Sequence, residues 1–201
     1  MTAIQFATRE IETPLGRFEI AATSGGLTHC QLVGYRRLPT ADGSAAELKQ
    51  HLAAGEAALG RYFAGEKDPW DELVLAPAGT EFQLRVWAAL RRIPYGTTLS
   101  YLELARSAGS PKGARAVGQA NHNNPLGIIV PCHRVIAADG TLGGYAGGLE
   151  RKRWLLEHEG ALPRSERQET AARLRGAAVR GGNALHSSPS VRDPAEGHES
   201  A

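Results

Sequence analysis

Alternating apolar and polar residues predict a small antiparallel sheet in the first 35 positions. Residues 4–11, 17–23 and 27–35 are the predicted strands, and Phe18 and Ile20 show the two-residue period of a half-buried strand. The segments between these strands contain the Gly and Pro residues that favour tight turns. The pattern therefore predicts a hairpin-built sheet.

The hydrophobic period becomes helical after residue 44. Apolar side chains recur on one helical face, at Leu48, Leu52, Leu59 and Phe63. Gly55 lies within this helix and lowers its intrinsic stability. Residues 71–76 return to an apolar pattern typical of a strand. Residues 1–77 are thus predicted to form a first domain of one sheet and one helix.

A second domain is predicted over residues 80–160. The boundary is the Ala-Pro-Ala-Gly segment at 76–79, which is followed by a strong helix start. Two capping boxes begin helices in this domain, Thr80 with Gln83 and Ser100 with Glu103. We expect further helices over 101–108, 114–122 and 149–159. The first two are joined by a short glycine-bearing turn, as in a helix-turn-helix, a pattern that many non-binding domains share.

The chemistry of the chain is expected to centre on residues 127–135. Residues 128–130 are β-branched and apolar, so they predict a short buried strand that Pro131 brings to an end. Cys132 and His133 follow directly. A thiol is a nucleophile as its thiolate, which a nearby base or cation favours. A cysteine that simply packs in a core is the alternative.

The predicted helix 114–122 has unusually small side chains. Ala116 and Gly118 leave its backbone accessible, which suits close approach to another element or to a nucleic-acid groove. Arg115 places a positive charge at the helix start, where it opposes the helix dipole. Either Arg115 has a separate task or it is a solvated surface residue.

Three residues after this helix are further candidates for the site. Asn124 precedes a proline and can bond backbone on both sides, although it can also be an ordinary turn residue. Tyr145 lies in a glycine-rich loop, 143–148, that either covers a pocket or is a plain connection. Glu159 sits at the wrong end of its helix for the dipole, which a buried partner such as His133 would explain.

Composition narrows the functional classes only slightly. The formal net charge is +2, so it neither favours nor excludes nucleic acid. Cys30 and Cys132 have no zinc-type spacing, and we predict neither a metal nor another cofactor.

The sequence also bears on localisation. We see no signal peptide and no membrane-length apolar run, and expect a cytoplasmic protein. Residues 163–201 are polar and predicted to be a largely disordered tail.

Several motifs together resemble the O6-alkylguanine-DNA alkyltransferase family. They are Pro-Cys-His-Arg-Val at 131–135, Arg-Ala-Val-Gly at 115–118, Asn-Pro at 124–125, Tyr-Ala-Gly-Gly-Leu at 145–149 and Trp-Leu-Leu-Glu-His-Glu-Gly at 154–160. The resemblance covers residues 80–160 closely and residues 1–77 loosely. It implies an α/β (α+β) protein with a ribonuclease H-like first domain and a second domain carrying a winged-helix-like helix-turn-helix.

The resemblance implies a single-turnover repair methyltransferase that moves an alkyl group from O6-alkylguanine in double-stranded DNA, and also from O4-alkylthymine, to Cys132. His133 would take the thiol proton through a water, and Glu159 would orient His133. Tyr101 would supply a proton to the leaving guanine, and Asn124 would brace the active-site turn. The protein would act as a monomer, from the minor groove, without an obligate protein partner.

The remaining residues implied by the resemblance bind the flipped base. Arg115 would fill the space that the base vacates, on a helix kept small by Ala116 and Gly118. The guanine pocket would be formed by Tyr145, Val135, Ala146 and Gly147. Some members have serine where Ala146 stands, and some bind zinc through a cysteine and histidine set that this chain lacks.

Three other functions compete with this reading. A damage sensor of the same fold would bind alkylated DNA without transfer, but such relatives lack the motif cysteine. A thiol hydrolase would need an oxyanion hole, of which the sequence gives no sign. A transcriptional regulator would leave Cys132, His133 and Glu159 unexplained. A methyl-acceptance assay separates all three from the alkyltransferase.

Overall fold

The computed structural model describes residues 5–38 and 45–163. Its N-terminal sheet has three antiparallel strands, β1 (Ala7–Thr13), β2 (Gly16–Thr23) and β3 (Gly26–Leu32). They pair in the order β1-β2-β3. The first hairpin pairs Thr13 with Gly16, and Gly16 adopts a φ of 107° that favours glycine. The three predicted strands are confirmed, with ends that differ by up to three residues.

One long helix, α1 (Ala46–Phe63), packs across this sheet. Its buried face includes Leu48, Leu52 and Leu59, as the period predicts. A Cβ on Gly55 would lie 2.9 Å from a methyl carbon of Leu27, so the glycine permits close packing of the helix on the sheet. The lower helix propensity of this glycine is therefore offset by contact with the sheet.

Residues 81–158 contain four α-helices and a two-stranded parallel ladder. The helices are α2 (Glu81–Leu90), α3 (Tyr101–Ser107), α4 (Ala114–His122) and α5 (Leu149–His158), and the ladder pairs β4 (Leu99–Ser100) with β5 (Val135–Ile136). Both predicted capping boxes are formed. The helices α2, α3 and α4 pack together through buried apolar residues such as Val86, Leu104 and Val117. The result is an α/β chain with a small antiparallel sheet.

Two predicted strands are wrong. Residues 71–76 make only an isolated bridge, in which Leu75 pairs with Leu27. Residues 128–130 form a turn rather than a strand: Ile128 has a φ of 71°, and the Val130 amide donates to the Leu126 carbonyl at 2.8 Å. Burial of these β-branched side chains produced the strand-like pattern, because a buried turn and a buried strand have the same apolar run.

The sheet is tied directly to the segment that precedes Cys132. The Cys30 amide donates to the Pro125 carbonyl and the Gly127 amide donates to the Cys30 carbonyl, both at 2.8 Å. One apolar core runs through both halves of residues 5–163. The division at 77–80 into two domains stays a prediction, as do the ribonuclease H-like and winged-helix-like descriptions. The predicted tail, from residue 164 onward, lies outside the described residues.

Candidate active site

Cys132 lies at the start of a short 3₁₀ turn, Cys132–Arg134, and faces a cavity of about 590 Å³. Its side chain is only 6 % exposed. The cavity walls come from the sheet, from α3 and α4, and from the glycine-rich loop. The thiol is thus delivered into this cavity by a fixed turn, rather than by the strand that the sequence predicted.

Asn124 holds the turn that precedes Cys132. Its Nδ2 donates to the Val130 carbonyl at 2.8 Å, and its Oδ1 accepts from the Leu126 amide at 3.0 Å. These bonds close a turn in which Ile128 has an unfavourable positive φ. Both partners follow Asn124 in the chain, so its side-chain amide closes the turn before Cys132 and does not bond the backbone on both sides.

The Cys132 thiol is held mainly in its protonated form. Burial raises its pKa, and this outweighs the lowering effects of a hydrogen bond with Asn124 and of the positive charge on Lys152. A buried thiol of this kind needs a base that removes its proton during the reaction.

His133 is fully buried and bonds Glu159 through one ring nitrogen. The distance from His133 Nε2 to Glu159 Oε1 is 2.7 Å. Burial lowers the pKa of His133, and the bond to Glu159 opposes that effect only in part. A neutral ring that donates from Nε2 leaves Nδ1 as an acceptor, and among the described residues Nδ1 has no partner. His133 is thereby prepared to accept a proton at Nδ1.

Glu159, the C-cap residue of α5, receives hydrogen bonds from several donors. Arg134 donates from Nε to Oε2 at 2.8 Å and from Nη2 to Oε1 at 3.0 Å, and the Gly96 amide donates to Oε2 at 3.3 Å. Tyr62 donates its hydroxyl to Oε1 at 2.7 Å. Burial raises the pKa of Glu159, but the bonds from His133 and Arg134 outweigh burial and hold this pKa well below its usual range. The carboxylate is therefore ionised.

Lys152 holds the glycine-rich loop in place through hydrogen bonds to backbone carbonyls. Its buried ammonium donates to the carbonyls of Val135, Leu142 and Gly144. Burial lowers the pKa of Lys152 to about 8. Since Val135 lies in β5 and the other two acceptors lie at the start of the glycine-rich loop, one cation joins the strand after Cys132 to the loop that carries Tyr145.

The predicted catalytic and base-binding residues divide into two groups. The residues that line the cavity with Cys132 are Tyr101, Arg115, Gly118, Asn124, Tyr145, Ala146 and Gly147. His133 and Glu159 lie buried, outside this lining. Ala116, which is exposed on α4, and Val135, which is buried in β5, are also outside it. A Cβ built on Gly118 would lie 3.7 Å from the ring of Tyr101, so α4 packs against α3 at this point.

Sequence reasoning missed several residues of the site. Tyr62, Arg134 and Lys152 were not singled out, because their roles depend on contacts between distant parts of the chain. Asn121 was also missed: it lines the cavity, donates from Nδ2 to the Cys132 carbonyl at 3.4 Å, and has no partner for Oδ1 among the described residues. A polar residue on the inner face of α4 was the available signal.

Neither a metal cluster nor a membrane helix occurs in the part of the chain that the structure describes. No three His, Cys, Asp or Glu side chains come together there. None of the described helices is long and apolar enough to cross a membrane. His29 bonds Thr28 Oγ1 at 3.0 Å, and the buried Cys30 lines the same cavity as Cys132.

Residues 81–161 match the family model for the DNA-binding domain of 6-O-methylguanine DNA methyltransferase. The chain is 46 % identical over 151 residues to the methylated-DNA–protein-cysteine methyltransferase of Methanosarcina acetivorans, covering 75 % of this chain and 96 % of that protein. It is also 46 % identical over 151 residues to that of Mycolicibacterium paratuberculosis, covering 75 % of this chain and 90 % of the relative.

Solved structures agree with these sequence matches. Mycobacterium tuberculosis OGT in complex with DNA superposes with a TM-score of 0.67 at 43 % identity, covering 77 % of this chain and 92 % of that one. The Pyrococcus kodakaraensis O6-methylguanine-DNA methyltransferase, at 23 % identity and a TM-score of 0.56 over 78 % of this chain and 99 % of that one, shares the fold. With these matches over three quarters of its length, the chain belongs to the methylated-DNA–protein-cysteine methyltransferase family.

Proposed function

We propose that this protein repairs DNA by transferring the alkyl group of O6-alkylguanine to Cys132, once per molecule and irreversibly. The observation that carries the proposal is a buried thiol that faces a cavity, beside a His133–Glu159 couple whose second ring nitrogen is a free acceptor among the described residues. The relatives named above act on methylated DNA, according to their names. The substrate class extends to O4-alkylthymine, which presents an alkylated oxygen of the same kind.

The transfer step is a displacement at the alkyl carbon. His133 Nδ1 accepts the Cys132 proton through a water, the Sγ–C bond forms, and the C–O6 bond breaks with its electron pair left on guanine. Glu159 stabilises the imidazolium that forms. Burial raises the pKa of Tyr101, so its hydroxyl remains protonated and can give a proton to the departing base. The proton that His133 took from Cys132 then passes through solvent to the Tyr101 oxygen, so both groups end neutral. The product thioether has no leaving group to release, so Cys132 is not regenerated.

Extrusion of the base follows from the position of the thiol. An alkyl carbon inside the duplex cannot reach a side chain that is 6 % exposed in a cavity, so the nucleotide has to leave the stack. In the proposed complex α3 and α4 act as a helix-turn-helix of the winged-helix type, and α4 enters the minor groove. Arg115, exposed at the start of α4, takes the space of the extruded base.

The cavity residues recognise the flipped guanine. Tyr145 packs against the base, while the backbones of Ala146, Gly147 and Val135 hydrogen-bond its edges. Ala116 and Gly118 let the α4 backbone approach the groove. Asn124 keeps the Cys132 turn in place during the reaction. A reducing cytoplasm would keep the thiol free, and a single protein molecule would act without a protein partner, metal or cofactor.

A stoichiometry measurement tests this function. The protein is mixed with a fivefold excess of duplex that carries one labelled O6-methylguanine, and methyl transfer to protein is counted. We expect a plateau at one methyl per protein, with Cys30→Ala as a control that reaches the same plateau. Continued turnover would contradict the proposal, and DNA binding without transfer would indicate a damage sensor instead.

A further inference from the structure

We propose that Tyr62 is a positioning residue for alkyl transfer: its hydroxyl, supplied by α1, donates to Glu159 and moderates the proton affinity of His133. The inference rests on the proposed function, in which His133 accepts the thiol proton. It assigns a part in the reaction to the N-terminal half of the chain, whose residues lie far in sequence from Cys132.

The contact is short and buried. The Tyr62 hydroxyl oxygen lies 2.7 Å from Glu159 Oε1, and His133 Nε2 lies 2.7 Å from the same oxygen. Tyr62 is fully buried, so bulk water does not replace its hydroxyl. Arg134 Nη2 also donates to this oxygen, at 3.0 Å. Three donors therefore share one carboxylate oxygen, and each weakens the hold of that oxygen on the others.

The charged groups around His133 determine whether loss of the Tyr62 hydroxyl raises or lowers the pKa of His133. Glu159 raises the pKa of His133, while burial, Arg134 and Lys152 lower it, and Cys132 precedes it in the chain. The hydroxyl of Tyr62 directs its positive end at Glu159 and so reduces the negative potential that Glu159 exerts on the imidazole. Without that hydroxyl, Glu159 would favour the imidazolium more strongly and the pKa of His133 would rise.

The packing role of Tyr62 is separable from this hydrogen bond. Its ring lies 5.2 Å from the ring of Trp70, 5.3 Å from that of Phe63 and 6.2 Å from that of Tyr95, measured between centroids. Phenylalanine preserves these ring contacts and removes only the hydroxyl. Tyr95 provides a matched control, because it belongs to the same ring cluster and donates its hydroxyl to the backbone carbonyl of His158 at 3.2 Å.

The test is the pH dependence of single-turnover methyl transfer from an O6-methylguanine duplex, between pH 5 and 9, for wild type, Tyr62→Phe and Tyr95→Phe. We expect the acidic limb of the Tyr62→Phe profile to move up by about half a pH unit, since the base must be neutral to accept the proton. Transfer then slows about threefold below the inflection and is not reduced above it. Tyr95→Phe should keep the wild-type inflection.

A purely structural role would change the rate equally at every pH, and an unshifted acidic limb in Tyr62→Phe would overturn the proposal. In a Glu159→Gln background, Tyr62→Phe should have no further effect on the acidic limb, because the proposed route through the carboxylate is already absent.

If Tyr62→Phe fails to fold, Tyr62→3-fluorotyrosine serves instead. Its more acidic hydroxyl donates more strongly and should move the acidic limb to lower pH. A limb that stays in place or rises with 3-fluorotyrosine counts against the proposal. Failure of wild type to transfer the methyl group would instead remove the proposed function itself.

Discussion

The guanidinium of Arg134 bonds both carboxylate oxygens of Glu159, with Nε 2.8 Å from Oε2 and Nη2 3.0 Å from Oε1. The side chains of both residues are at most 1 % exposed. The same guanidinium also reaches Asp68 Oδ1 at 2.6 Å, so it joins Glu159 to the segment that follows α1. The carboxylate that bonds His133 therefore belongs to an ionic network that extends from the buried Glu159 to the partly exposed Asp68.

Replacing Arg134 should destabilise the fold strongly. Arg134→Met leaves the buried Glu159 carboxylate without its counter-charge, and we expect a loss of about 3–5 kcal/mol in the free energy of unfolding. Urea unfolding measures it. Arg85→Met is the control, because its partner Glu81 is 90 % exposed, and it should change stability by less than about 0.5 kcal/mol. Similar losses in both variants would contradict the assigned importance of the buried pair.

Stability should fall as the solution is acidified. The folded-state pKa of Glu159 lies well below the ordinary 4.5, so its ionised form stabilises the fold above pH 4.5, and this contribution is lost progressively as the pH falls toward the folded-state value. Burial also lowers the pKa of His133 below 6.5, so the unfolded chain gains that proton first and stability falls below pH 6.5.

Thermal unfolding of Glu159→Gln tests the carboxylate contribution. This variant should be less stable than wild type at pH 7 but should lose less stability below pH 4.5, because it has no carboxylate to protonate. Glu81→Gln, on an exposed side chain, should keep the wild-type slope. A Glu159→Gln slope as steep as that of wild type would show that other groups control acid unfolding.

Removing Arg115 should impair base extrusion rather than chemistry. Arg115→Ala loses the side chain proposed to replace the flipped base, and since extrusion costs a few kcal/mol we expect transfer from duplex DNA to slow by about tenfold or more. Transfer from a single strand, where the base is already unpaired, should change little. Arg106→Ala, on the exposed face of α3, is the matched control. Equal slowing on both substrates would place Arg115 in the chemical step.

Replacing Gly118 with alanine should have opposite effects on helix stability and on DNA affinity. The added Cβ would meet the Tyr101 ring at 3.7 Å, an ordinary contact, so Gly118→Ala should stabilise α4 by up to about 1 kcal/mol. If the backbone there approaches the groove, DNA affinity should nevertheless fall. Gly60→Ala, which meets nothing within 4 Å, should gain similar stability without changing affinity. Unchanged affinity in Gly118→Ala would exclude close approach at this position.

Local signals predicted the helices well and the turn before Cys132 badly. Capping boxes and hydrophobic period are read from neighbouring residues, and α4 begins and ends where the sequence predicts, at Ala114 and His122. The apolar run at 128–130 indicates burial but not backbone direction, so the positive φ of Ile128 was not foreseeable.

The proposed catalytic residues were predicted from motifs, but the residues that hold them in place were not. Cys132, His133 and Glu159 stand in motifs that the family resemblance identifies. Tyr62 contacts Glu159 across 97 positions of sequence, and Arg134 contacts Asp68 across 66. Such pairs are set by how α1 and its following segment pack against α5, which no local pattern encodes.

Peptide mass spectrometry after the protein reacts with a duplex carrying one O6-methylguanine decides whether Cys132 accepts the alkyl group. We expect one added methyl on the peptide that contains Cys132, none on the peptide that contains the buried Cys30, and none on any peptide of Cys132→Ala. A methyl group on another residue, or complete methyl removal by Cys132→Ala, would contradict the proposed transfer to Cys132.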